Sequence, residues 1–286
     1  MSKSPRLGQL SMLNSEASIS NQPISDEALE ELKQIIGKYG VVSVRKLGPK
    51  SHDDLIAFGA CFGELDSIRP HRKAGRKMRI PQEETFDISN LDDKGEIVTT
   101  ADAERMATAY GKSLGHTDGT FNPSRTHLFM LRAVALPPEG TGGHTEYLDA
   151  AQAYDNLSEE MKEKIKDLDH PMGKHKVVQR HDITGRSVLL INLYAHHIDV
   201  MPLEEGQALI RELFHHMKQE KYMYTHHWKN RGDFVIWDNT SVLHRATIGN
   251  YQHHHVRGLR RISTLDSGTA AYGMNDPNTY WQQGLP

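Results

Sequence analysis

Cysteine is almost absent from this 286-residue sequence: Cys61 stands alone, so no intrachain disulfide can form and a reducing compartment, the cytoplasm, is expected. Beside Phe62 in a helical pattern, Cys61 reads as a small core residue rather than a nucleophile. Charge of one sign is also missing. Lys and Arg number 34 against 37 Asp and Glu, a formal net charge of -3 with both signs mixed throughout, so nucleic acid is not an expected partner. No apolar run approaches the length of a transmembrane helix, and the start Met-Ser-Lys-Ser-Pro-Arg leads into no apolar segment of a signal peptide, so no membrane partner is expected. A small molecule is the expected partner, and a homo-oligomer stays open.

What is present is a helical start followed by many short strands. Residues 1–23, rich in Ser, Asn and Pro, read as an N-terminal arm, and residues 24–286 as one domain. Ser25, with Asp26 and Glu27 behind it, caps a helix whose stripe is Leu29, Leu32, Ile35 and Ile36. A strand follows at 41–47, and Ser51 opens a second helix with Leu55, Phe58 and Phe62 on one face. A strand is expected at 87–91, and then strands at 127–136, 142–148, 176–182, 187–194, 222–228, 233–237, 243–248 and 256–265. Helical inserts open at Ser158 and span 204–220. Short strands with turn residues between them predict a mainly β, closed or two-layered antiparallel body with flanking helices.

The chemistry concentrates in histidine. Among 18 His, the pattern His-x-Asp occurs at His52, His116 and His197. Asp54 reads as part of the helix start at Ser51, and side chains two apart on a helix diverge, which sets His52-Asp53-Asp54 aside. His197-Ile198-Asp199 follows a strand-like run and competes. In His116-Thr117-Asp118-Gly119, a period of two brings imidazole and carboxylate to one face. With His244 downstream of Trp237-Asp238-Asn239, the set becomes two histidines and one carboxylate, the ligand set of non-haem Fe(II) oxygenases. Alternation along 256–261 likewise puts Arg257, Leu259 and Arg261 on one face. A guanidinium buried there needs an anionic partner, either a protein carboxylate or a dicarboxylate co-substrate, and for Arg257 the ligand is the better fit, whereas Arg260 on the other face is expected in solvent.

In Leu55-Ile56-Ala57-Phe58, Phe62-Gly63-Glu64-Leu65, Asp87-Ile88-Ser89-Asn90, His116-Thr117-Asp118, Gly142-Gly143-His144-Thr145-Glu146, Trp237-Asp238-Asn239 with His244-Arg245, and Arg257 with Arg261, the sequence resembles the TauD/TfdA family of taurine and 2,4-dichlorophenoxyacetate dioxygenases, from about Glu30 to Asp266. The resemblance implies a double-stranded β-helix, a cupin-like jelly roll, and Fe(II) held by His116, Asp118 and His244. It implies 2-oxoglutarate as co-substrate, its far carboxylate on Thr145 and Arg257 and Arg261 near its metal-binding end. It further implies hydroxylation by O2 coupled to decarboxylation of 2-oxoglutarate to succinate and CO2, with Asp118 arguing against the halogenating variant.

The substrate expected from the resemblance is a small organic anion, a carboxylate ahead of a taurine-type sulfonate. The basic stretch from Arg69 to Arg79, which also reads as a solvated loop, precedes the metal motif as the family's substrate-side segment does; Arg79, the substrate candidate within it, lies closest to Asp87-Ile88-Ser89-Asn90, and His181 and Tyr194 fall at or near substrate-side positions. Two departures stand out. Relatives carry Asn four residues before the first ligand and Trp immediately before it, where this sequence has Lys112 and Gly115. The spacing from His244 to Arg257 is longer by two residues near His253-His254-His255, which reads as a solvated loop. A cupin-like metal-binding protein without turnover and a zinc hydrolase remain alternatives.

Overall fold

The computed structural model describes residues 24–46, 48–69, 79–99, 115–119, 122–170, 175–192 and 195–278. The N-terminal arm, most of the basic stretch, Lys112 and Tyr194 lie outside the described residues. Two antiparallel sheets form the body. The larger combines β1 (Val41–Val44), β10 (Phe234–Asp238), β3 (Thr126–Ala135), β12 (Gly258–Leu265) and β2 (Phe86–Ser89), in that order. The smaller combines β11 (Val242–Ala246), β4 (Thr145–Asp149) and β9 (Met223–His226). Short pairs, β5 (Asp169–His170) with β6 (His175–Lys176) and β7 (Val178–Arg180) with β8 (Ser187–Leu189), lie beside them.

A period of two sorts the core into three layers. Between the sheets lie Val41, Phe129, Leu131, Ala133, Val235, Trp237 and Leu259 from the larger sheet, and Tyr147 and Val242 from the smaller. The intervening residues Val42, Leu128, Met130, Phe234, Ile236 and Ile262 face outward, onto Ile36, Leu55 and Phe58 of helices Asp26–Tyr39 and His52–Ala60. Leu148 and Leu243 turn outward from the smaller sheet, against helices Ala150–Asp155 and Leu203–Met217. Each strand thus assigns its own residues: if Val242 faces inward, so does His244; if Tyr147 does, so does Thr145; if Leu259 does, so does Arg261.

The expected helix starts hold. Ser25 accepts the amide of Ala28, Ser158 accepts that of Met161, and Ser51 forms a full capping box with Asp54, which confirms that His52-Asp53-Asp54 belongs to a helix start. Strand bounds shift. Gly142 and Gly143 sit at φ +89° and +79°, outside extended geometry, so β4 begins only at Thr145. Among the described residues the expected strand 187–194 is a strand over Ser187–Leu189, with the Leu190 amide donating to the Val177 carbonyl at 2.8 Å, and Ala150–Asp155 is a helix capped by Asp149 that periodicity did not signal. Cys61 is exposed rather than core: it caps the end of helix His52–Ala60, off the face that buries Leu55 and Phe58.

Candidate active site

His116 and His244 are brought together by backbone pairing. The His116 amide donates to the His244 carbonyl at 3.0 Å and the His244 amide to the His116 carbonyl at 2.8 Å, extending the smaller sheet by one bridge beyond β11. Their rings lie 4.5 Å apart, centre to centre. Asp118 reaches back to both: its Oδ1 is 3.4 Å from His116 Nε2 and its Oδ2 is 3.9 Å from His244 Nε2. One ligand atom from each of the three lies within 4.8 Å of the others, a spacing that a metal ion would close.

Side-chain amides hold this turn. Asn192 Oδ1 accepts the Thr117 amide at 2.7 Å. Asn239 Oδ1 accepts the Asp118 amide at 3.2 Å, while its Nδ2 donates to the carbonyls of Asp118 and Thr126 at 2.8 and 3.1 Å. Gly119 follows at φ +75°, where a Cβ would meet Thr126 Oγ1 at 2.4 Å, so the chain turns there only without a side chain. Neither asparagine's role was legible, although Asn239 stands in the Trp237-Asp238-Asn239 motif.

Electrostatics favour the ligating forms. Burial pushes the His244 imidazole down to about 3, with His116 adding to the shift, so the ring is neutral at ordinary pH. Burial opposes ionisation of Asp118, but the Arg261 guanidinium and the His116 ring outweigh it and hold the carboxyl well below the ordinary range. Arg261 donates to Asp118 Oδ2 and lies between the Phe86 and Phe129 rings, 4.8 and 4.9 Å from their centres.

Further along the same interior sits Arg257, 6% exposed, on the inner side as alternation predicts. Its Nε donates to the Gly143 carbonyl at 2.8 Å and its amide to Asn90 Oδ1 at 2.8 Å, but it forms no ion pair among the described residues. Thr145, two residues beyond Gly143 at the start of β4, is buried, with its hydroxyl oxygen accepting Trp228 Nε1–H at 3.1 Å. Replacing bulk water around a guanidinium is costly unless an anion takes its place, so this end fits a carboxylate.

The remaining site expectations fall elsewhere. Arg79 pairs with Asp87 and donates to Ser89 at 3.0 Å; Asp87 also takes Arg260 at 2.7 Å. Asp87 and Arg260 are cross-strand partners adjacent to inward Ile88 and Leu259, so this trio lies on the outer face of the larger sheet, away from the metal-ligand cluster. Arg260 is therefore paired rather than solvated. His181 is 4% exposed, with Nε2 at 2.6 Å from Asp238 Oδ2 and Nδ1 at 2.7 Å from the Thr184 hydroxyl, which makes it part of the framework. His197 and Asp199 approach at 3.5 Å on the surface and gather no third ligand among the described residues. The triple histidine is exposed, as expected of a loop. Gly115 has a packing reason: a Cβ there would meet Leu148 Cδ1 at 2.8 Å and Phe214 Cζ at 2.9 Å, so helix Leu203–Met217 fills the space that a larger residue needs.

Known proteins resemble the chain over most of its length. The model of the family described as "Taurine catabolism dioxygenase TauD, TfdA family" matches residues 13–263, starting inside the segment expected to be an arm. The chain is 34% identical over 243 residues to the alpha-ketoglutarate-dependent 2,4-dichlorophenoxyacetate dioxygenase of Burkholderia sp. (strain RASC), covering 76% of this chain and 79% of the relative. It is 31% identical over 271 residues to the enzyme of the same description from Cupriavidus pinatubonensis (strain JMP 134 / LMG 1197), covering 86% and 91%. Among solved structures, AAD-2 in complex with Mn(II) and N-oxalylglycine superposes with a TM-score of 0.80 at 26% identity, over 90% of this chain and 94% of that one. The antiparallel body is thus the jelly roll of that structural group, and the chain belongs to the TauD/TfdA family of Fe(II)- and 2-oxoglutarate-dependent dioxygenases.

Proposed function

We propose that His116, Asp118 and His244 hold the Fe(II), that Arg257 and Thr145 bind the far carboxylate of 2-oxoglutarate, and that the oxidised substrate is a small carboxylic acid. The observation that carries this reading is the pairing, in one interior, of a two-histidine, one-carboxylate cluster with a buried guanidinium lacking an ion-pair partner among the described residues. Fe(II), when bound, couples oxidative decarboxylation of 2-oxoglutarate to oxidation of the substrate by O2, and hydroxylation is the expected outcome.

The chain's own residues hold and shield that chemistry. His244 presents a neutral imidazole, and Arg261 keeps Asp118 ionised and oriented at a position near the co-substrate's metal-binding end. The Trp228 indole fixes the Thr145 hydroxyl so that its proton is available to a carboxylate beside Arg257. Phe129, Trp237 and Leu259 wall the interior and exclude water, which strengthens the charge pairing within it.

Support for a carboxylic acid comes from the relatives, which include the two 2,4-dichlorophenoxyacetate dioxygenases and an (S)-phenoxypropionate/alpha-ketoglutarate-dioxygenase. The test is substrate-stimulated release of succinate with O2 uptake, comparing aryloxyalkanoic acids with their methyl esters or amides and with taurine. The acids should be preferred. Equal turnover of the neutral analogues would remove the carboxylate reading, and preference for taurine would replace it with a sulfonate, with the dioxygenase chemistry unchanged.

A further inference from the structure

The inner face of the smaller sheet is read row by row from its register. His244, Tyr147 and Tyr224 lie directly across from one another in one row; Ala246, Thr145 and His226 form the next. Tyr147 therefore stands beside a metal-ligand candidate and two residues along the strand from Thr145, on the same face. Its ring is fully packed, edge-on to Trp237 at 5.4 Å and stacked on Tyr224 at 6.2 Å. Its hydroxyl is different: buried, and without a hydrogen-bond partner among the described residues. Buried hydroxyls are seldom left so, because desolvation is offset only by a partner.

We propose that the Tyr147 hydroxyl is a third donor to the far carboxylate of 2-oxoglutarate, completing the anchor formed by Arg257 and Thr145. The inference rests on the assignment of those two residues above. Two features support it. Tyr147 and Arg257 lie within electrostatic reach of each other. Packing alone would be served equally by phenylalanine, so the oxygen needs a separate reason to be there.

The test uses the full chain loaded with Mn(II), with binding followed by calorimetry, comparing the parent, Tyr147→Phe and Arg257→Ala. The ligands are 2-oxoglutarate and 2-oxovalerate, which keeps the oxo-acid end and lacks the far carboxylate. A hydrogen bond to a charged acceptor implies that Tyr147→Phe weakens 2-oxoglutarate roughly tenfold or more. Binding of 2-oxovalerate should be unchanged, and the ligand-free variant should melt no lower than the parent. Unchanged 2-oxoglutarate affinity in Tyr147→Phe, with weakening in Arg257→Ala, would overturn the role of Tyr147 and leave the Arg257 anchor standing. Equal weakening of both ligands in Tyr147→Phe would also overturn it, by showing a packing effect. No change in either variant would refute the anchor itself.

Discussion

Among the described residues, two largely buried histidine–carboxylate groups stand side by side for comparison, and their difference separates framework from chemistry. His181 and Asp238 meet at 2.6 Å, and each has a second partner in Thr184 or Thr240. His116, Asp118 and His244 are splayed, with the carboxylate 3.4 and 3.9 Å from the two rings. In the first group the polar atoms satisfy one another. In the second they converge on a common point without closing on it, while Asn192, Asn239 and Arg261 hold them there. A third pair, His197 with Asp199, has the sequence pattern but lies exposed at 3.5 Å. Convergence, rather than proximity of histidine to aspartate, marks the candidate metal centre.

The largest expected effect comes from breaking the splayed group. His244→Ala should abolish succinate formation while far-ultraviolet circular dichroism stays that of the parent, because β11 remains paired to β4 through its backbone. Turnover retained within tenfold would move the metal elsewhere. Breaking the closed group should instead cost stability. His181→Ala leaves a buried carboxylate without its main partner, and urea denaturation should show a loss of about 3 to 5 kcal/mol. The sign of its pH dependence follows from Asp238: burial opposes ionisation, but His181 outweighs it and holds the carboxyl below the ordinary range. A depressed carboxylate contributes stability that is present above its unfolded pKa, about 3.9, and is lost as the pH falls through the folded value. Asp238→Asn should therefore flatten the acid limb of the stability curve; an unaltered limb would contradict the assignment.

At the other end of the interior, Arg257→Ala should weaken 2-oxoglutarate binding by about 1.5 to 3 kcal/mol, one to two orders of magnitude. The smallest effect belongs to the exposed pair: His197→Ala should change stability by less than about 0.5 kcal/mol and leave turnover as it was.

Much of this was legible in residues and spacing. Alternation places Arg257, Leu259 and Arg261 together without any coordinates, and the same rule holds His244 inward through Val242. Capping serines mark three helix starts because their side chains act on neighbouring amides, a local interaction that sequence expresses directly. The failures are of another kind. His181 and Arg79 have carboxylate partners 57 and 8 residues away, Asp238 and Asp87, and nothing local in the sequence distinguishes a histidine or arginine that is satisfied in the fold from one facing substrate. Asn239 and Asn192 are polar residues at the ends of apolar runs, a pattern equally typical of turns, so their clamping of the metal motif appears only when the sheets are assembled. Gly115 shows the reverse case: a departure from the relatives' Trp that spacing alone does not explain is, in the fold, space already filled by Phe214 and Leu148.

The most direct measurement is iron bound per chain after anaerobic loading and gel filtration, in the parent, His244→Ala and His197→Ala. The convergent site predicts one ion in the parent and in His197→Ala and almost none in His244→Ala. Iron retained by His244→Ala at the parent's level, or lost from His197→Ala alone, would contradict it.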